Sequence, residues 1–170
     1  MKGTKRITIL SILTSQALVL SIVESMIPLP VAIPGIKLGL ANIITLIVIA
    51  LFGYKSATKV VIVRVVLSSI YSGSIIVFWF SLIGGLLSTL VMGLMYHKFK
   101  DYFSLIGISV SGAIFHNMGQ LFVAVIVMKE LSVISYAPFL LFAGIIMGGF
   151  TGLTAHFLLK ALKKILPRLE

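Results

Sequence analysis

Long apolar runs separated by short polar breaks set the plan of this chain. The runs cover residues 7–27, 37–53, 59–72, 75–96, 103–128 and 136–159. A helix that crosses a bilayer needs about 20 consecutive apolar residues, so the pattern predicts an all-α bundle of six transmembrane helices. Residues 65–97 carry no formal charge, and hydropathy alone would merge the third run with the fourth. Lys55 and Lys59 precede that stretch and Lys98 and Lys100 follow it. Bases flanking a span favour the cytoplasmic side, so an even number of crossings must join the two pairs. Ser72-Gly73-Ser74 is the expected turn between them. The second and third runs are short. About 17 residues of helix reach roughly 25 Å, so either the bilayer thins there or these helices sit partly within the protein.

Composition names the solvent. Hydrophobic residues make up 59% of the chain and charged residues 11%, against about 25% charged in a soluble domain. That much apolar surface requires lipid around it. Eleven of the 14 bases fall in four clusters: Lys2, Lys5 and Arg6; Lys55 and Lys59; Lys98 and Lys100; and Lys160, Lys163, Lys164 and Arg168. Six crossings place all four clusters, and both termini, in the cytoplasm, with only Lys37 and Lys129 outside. The high pI therefore reflects headgroup and cytosolic contacts rather than nucleic acid. No Cys is present, which excludes a disulfide framework and thiol-ligated metal. The first run is longer than a signal-peptide core and ends in Ile27-Pro28-Leu29-Pro30, so it is expected to be a retained helix. Residues 1–170 are read as one membrane domain.

Small residues mark helix contacts. Gly144, Gly148 and Gly152 recur at spacing four, and Ser81, Gly84, Gly85, Ser88 and Gly93 line the fourth run. Such stripes let backbones approach in a membrane, most simply within one chain. The first run carries Ser11 with Ser15, and Ala17, Ser21 and Ser25, a surface that could dock a partner helix or form a packing seam.

Polar residues inside apolar runs are costly and point to function. Arg64 lies within the third run. A cation there needs an anion, either Glu24 or a ligand. Glu24 is near the outer end of the first run; Lys37 opens the second, and Asn42 follows it. Pro28, Pro30 and Pro34 stiffen the intervening loop and Gly35 permits a tight approach, so the loop could be a lid over a cavity open to the outside. In the fifth run Gly112, His116 and Gln120 share one helical face, with Asn117 about 100° round. They form either an interhelical network or a site for a polar ligand. One His with amides is a poor metal site, and neither metal nor cofactor is expected. The expected ligand-binding set is Glu24, Lys37, Asn42, Arg64, His116, Asn117 and Gln120, suited to an anionic or zwitterionic small molecule. His156 and Trp79 with Phe80 are read as interfacial.

Ile33-Pro34-Gly35-Ile36-Lys37-Leu38-Gly39-Leu40-Ala41-Asn42-Ile43, then Arg64, Gly84-Gly85 and His116-Asn117-Met118-Gly119-Gln120, resemble the bacterial family called Gx transporter, also labelled heptaprenyl diphosphate synthase component I. The resemblance covers essentially the whole chain. The six-helix plan also resembles the substrate-binding S components of energy-coupling factor transporters. That likeness implies capture of a small nutrient from outside, with a transmembrane T subunit and two cytoplasmic ATPases driving uptake. It also implies docking on the T subunit through the first helix, here through Ser11 and Ser15, where Ser stands for much of the Ala in the S-component motif.

The synthase label implies a soluble prenyl synthase subunit as partner. It does not imply catalysis by this chain. Trans-prenyl elongation in such synthases uses paired Asp-rich motifs to hold magnesium on diphosphate. This chain has one Asp, Asp101, and three dispersed Glu, and it has no Walker A motif. It is expected to be no enzyme by itself: a transporter subunit, or a noncatalytic partner in polyprenyl diphosphate synthesis for quinone side chains.

Overall fold

A computed structural model describes residues 3–27 and 37–165. The proline-rich loop expected to act as a lid lies outside these residues. The described chain is all helical: α1 (Gly3–Ser25), α2 (Asn42–Phe52), α3 (Tyr54–Ser72), α4 (Ile75–Lys98), α5 (Leu105–Met128), a 3₁₀ helix (Leu131–Tyr136) and α6 (Ala137–Ile165). Local chemistry explains the breaks. Gly53, at φ 80°, lets α2 reverse into α3 through a single residue, where a side chain would be strained. Gly73 adopts the left-handed cap that ends α3. The Ser74 hydroxyl then accepts the Val77 amide to start α4, and Ser104 does the same for Gly107 at α5. The expected Ser72–Ser74 turn is therefore in place.

The second run departs from its expected bounds. Its helix begins at Asn42, not at residue 37. The Lys37 amide donates to Gln120 Oε1, and the Gly39 and Leu40 amides donate to Glu24. Gly39 also has φ 89°, which ends any helical path. The third helix starts earlier than expected, at Tyr54, and takes Lys55 and Lys59 into its first turns. Gly3–Ser25, Ile75–Lys98, Leu105–Met128 and Leu131–Ile165 are long and apolar enough to cross a membrane. Of the two short runs, Asn42–Phe52 is apolar but too short for that measure. Tyr54–Ser72 carries three cations.

The molecule is apolar outside and polar within. Ile7, Ile70, Ile75, Phe142 and Phe157 are broadly exposed, while Glu24, Lys37, Asn42, Arg64, His116 and Gln120 are buried. That inversion fits a lipid exterior and marks a membrane protein. Helix α2 is buried from Asn42 to Ile49 and touches every other α-helix, so it is the hub of the bundle. Near one end an apolar core joins Leu13, Ile47, Val60, Met92, Ile108 and Ala155. At that end the Arg6 guanidinium donates to Ser56 Oγ at 2.9 Å and lies over Phe52, Gly93 packs on Tyr54, and Gly152 packs on Ile106. These contacts tie α1 to α3, α3 to α4 and α5 to α6.

The glycine stripes act within the chain. A Cβ on Gly148 would lie 2.5 Å from Val110 Cα, and one on Gly152 would lie 2.7 Å from Ile106 Cα, so α5 and α6 pack backbone to backbone. Gly119 meets Gly84 in the same way between α5 and α4. Ser11 and Ser15 are exposed on α1, whereas Ala17 and Ser21 face inward. Phe80 is no interfacial anchor: it is buried with Val123, Ala124, Val133 and Leu140. Trp79 beside it remains half exposed.

Candidate functional site

The irregular stretch from Lys37 to Ala41 is where the expected polar residues converge. Non-helical backbone at membrane depth is tolerated where protein encloses it or a cavity adjoins it, and here both hold. Glu24, from α1, accepts the Gly39 and Leu40 amides. The Lys37 ammonium turns back to α1 and donates to Ser21 Oγ at 3.2 Å and Ser21 O at 3.4 Å. Gln120, from α5, holds the Lys37 amide at 3.2 Å. Gly39 has no room for a side chain: a Cβ would stand 2.8 Å from Asn42 Nδ2 and 3.6 Å from the His116 ring. The sequence Lys37-Leu38-Gly39 thus folds as a buried loop pinned by three side chains from two helices.

Beneath it, the Gly84-Gly85 pair of α4 makes room for two large polar side chains. His116 Cε1 would be 3.2 Å from a Cβ on Gly84, and Arg64 Nη2 would be 3.3 Å from a Cβ on Gly85. The imidazole and the guanidinium therefore lie against neighbouring residues of one helix. Helix α2 starts at Asn42 in the same region, with no side-chain cap, so the positive end of its dipole faces the cluster.

The cluster is rich in unused hydrogen-bonding capacity. Both amide atoms of Asn42, Nε and Nη2 of Arg64, both ring nitrogens of His116, Nε2 of Gln120 and the hydroxyls of Ser81 and Ser88 are buried without a hydrogen-bond partner. His116 nears the Gly84 carbonyl without reaching hydrogen-bond geometry. Leaving such groups unpaired costs about 1–3 kcal/mol each, and native cores pair nearly all of them. These orphaned atoms make the cluster the candidate site, although Asn117 Oδ1, on another face of α5, is also buried and unpartnered.

Six of the seven expected ligand residues meet here. Asn117 does not. Its Nδ2 donates to the Leu140 carbonyl of α6 at 2.7 Å, and Gly144 sits against the same amide. The 100° offset from His116 aims it at another helix. Ser81 and Ser88 also bury unpartnered hydroxyls on α4, one turn either side of the Gly84-Gly85 pair, although the sequence marked them only as small packing residues. No group of His, Cys, Asp or Glu among the described residues could hold a metal ion.

A cavity of about 260 Å³ adjoins the cluster at the ends of α1 and α3. It is lined by Ser21, Glu24, Lys37, Ser68, Tyr71 and Val77, among others. Glu24 and Lys37 belong to both, so the cavity is a vestibule to the buried groups. A larger cavity of about 560 Å³ lies toward the opposite end, against Ile49, Tyr54, Leu90, Leu94 and Tyr96. Leu90, Leu94 and Tyr54 are half exposed, and it opens on the lipid-facing surface.

Fold and site together define a helical membrane protein with a polar, cation-centred interior. The heptaprenyl diphosphate synthase component I family model matches residues 13–158, and the chain belongs to that family. No curated protein and no solved structure matches the chain.

Proposed function

We propose that this protein is the membrane-embedded ligand-binding subunit of a small-molecule uptake transporter, similar in plan to the S components of energy-coupling factor transporters. In this reading six helices cross the cell membrane with both termini cytoplasmic. The vestibule opens to the outside, and the ligand is an anion held by Arg64 with Asn42, His116 and Gln120. One observation carries the proposal: Arg64, Asn42, His116 and Gln120 bury unpartnered polar atoms in the cluster whose Glu24 and Lys37 wall a cavity. A transmembrane T subunit with cytoplasmic ATPases would supply energy, docking on the exposed Ser11–Ser15 face of α1. The chain carries out no reaction itself, since it has neither paired Asp-rich motifs nor a Walker A loop.

Gentle purification from the native membrane followed by native mass spectrometry tests this reading. Co-purifying ATPases and a retained small anion are expected. A preparation that carries neither, together with wild-type uptake by folded Arg64→Ala and His116→Ala variants, would overturn it.

A second reading is favoured by the family's name and by the apolar cavity beside Tyr54 and Tyr96. The protein would then be a noncatalytic partner in heptaprenyl diphosphate synthesis for menaquinone side chains, holding a prenyl chain at the membrane. It predicts co-purification with a soluble, Asp-rich synthase subunit whose activity rises on binding.

A further inference from the structure

We infer that the buried site takes a singly charged oxyanion, a carboxylate or a phosphodiester, bound bidentately by the Nε–Nη2 edge of Arg64, and that it excludes a diphosphate. The inference rests on the binding-subunit reading and narrows its ligand.

The first argument is geometric. Among the guanidinium nitrogens of Arg64, Nε and Nη2 are the two that are fully buried without a partner. Their N–H bonds run parallel along one side of the guanidinium and form the fork that fits two oxygens of a carboxylate or phosphoryl group. No carboxylate among the described residues occupies that fork. Glu24 acts on Arg64 through space but spends its hydrogen bonds on the amides of Gly39 and Leu40.

The second argument is charge. Arg64 and Lys37 contribute two formal positive charges and Glu24 one negative, so the site carries one uncompensated positive charge. A buried ion is tolerated when it is matched. One negative charge neutralises the site, whereas a diphosphate would bury at least one charge in excess. The orphaned amides of Asn42 and Gln120 carry no charge, and they suit the polar, neutral part of a ligand rather than a second anionic group.

Neither fork atom is open to solvent. An anion therefore reaches Arg64 only by displacing packed side chains. Glu24 and Lys37 are the residues that the vestibule and the cluster share.

The test uses the full chain in lipid nanodiscs and follows thermal unfolding with acetate, dimethyl phosphate, pyrophosphate or chloride at matched ionic strength. Acetate or dimethyl phosphate should raise the midpoint above the chloride control, and which of the two does so separates a free carboxylic acid from a lipid-like phosphodiester. Pyrophosphate should behave as chloride does. Arg64→Lys keeps the charge but removes the fork. It should weaken the effective probe about tenfold to a hundredfold, the value of a hydrogen bond to a charged group, and Arg64→Gln should abolish the shift. The probe ranking on the unmodified protein needs no variant to fold. Stabilisation by pyrophosphate above both single anions, lost in Arg64→Gln, would overturn the inference and leave the binding subunit standing. A probe shift that survives both substitutions would overturn Arg64 as the anchor. No shift with any probe would overturn the inference, and unaltered uptake by both variants as well would remove the binding-subunit reading too.

Discussion

At the residue scale, Glu24 is the hinge of the site's electrostatics. It is 4% exposed and accepts two backbone amides from the Lys37–Ala41 loop, close to two buried cations. Removing one partner of a buried charge set leaves the other uncompensated, at about 3–5 kcal/mol. Glu24→Ala should lose stability in that range, measured by chemical unfolding in detergent. Glu24→Gln should lose less, because its amide oxygen can still accept from Gly39. A Glu24→Ala protein as stable as the parent would show that the carboxylate does not balance Arg64 and Lys37. Asn117 offers the contrasting case. Its interhelical hydrogen bond to Leu140 is buried, and such bonds in membranes average about 0.6 kcal/mol. Asn117→Ala should therefore cost about 1 kcal/mol or less in unfolding and leave ligand uptake unchanged. A loss of uptake without a loss of stability would return Asn117 to the site.

At the scale of elements, close backbone approach between α5 and α6 is the feature most open to test. A Cβ on Gly148 would press on Val110 Cα, whereas one on Gly149 would meet nothing within 4 Å. Overpacking of this kind costs about 1–3 kcal/mol, so Gly148→Ala should lower the unfolding midpoint. Gly149→Ala should leave it unchanged or raise it, by up to about 1 kcal/mol of helix propensity. Equal effects at the two positions would mean that the helices do not meet as described. The stripe at 144, 148 and 152 was legible in the sequence because a repeat of four marks one helical face. The same rule set Asn117 about 100° from His116 and Gln120, yet the expected ligand set included it; its bond to Leu140 needed the packing of α5 on α6. The start of α2 was not legible. Lys37 to Ala41 is as compatible with a helix as the residues after it, except at Gly39. What breaks the helix is the positive φ of Gly39, in a loop whose amides are held by Gln120 and Glu24, residues 83 and 15 positions away in the chain. Hydropathy cannot register a turn held by long-range hydrogen bonds, so it extended the second run through a segment that is a buried loop. Nor could composition show that Arg64 would lie against Gly85, since that needs the register of α3 on α4.

For the whole molecule, the open quantity is how many times the chain crosses the bilayer. Among the described residues four helical segments are long and apolar enough to cross, whereas the charge clusters call for six crossings. The disagreement concentrates in α2 and α3. Helix α2 has 11 residues, or about 16 Å of helix, well short of a hydrocarbon core of about 30 Å. It is nonetheless wrapped by all the other α-helices, so its polar ends meet protein rather than lipid. Helix α3 has 19 residues and is long enough. Its hydropathy falls because Lys55 and Lys59 sit in its first turns, where they can snorkel to the headgroups, and because Arg64 is enclosed against α4. Both shortfalls therefore have local causes compatible with crossing. The absence of cysteine makes this directly measurable. Lys55→Cys and Ser74→Cys bracket α3, at positions that are exposed and half exposed. In intact cells a membrane-impermeant maleimide should label Ser74→Cys and spare Lys55→Cys until the membrane is opened. Lys98→Cys, at the far end of α4, should behave like Lys55→Cys. Labelling of both α3 positions from the same side would mean that α3 does not cross. The vestibule beside Ser68 and Tyr71 would then face the same compartment as the basic clusters, and an uptake subunit that captures its ligand from outside could not be built from this fold.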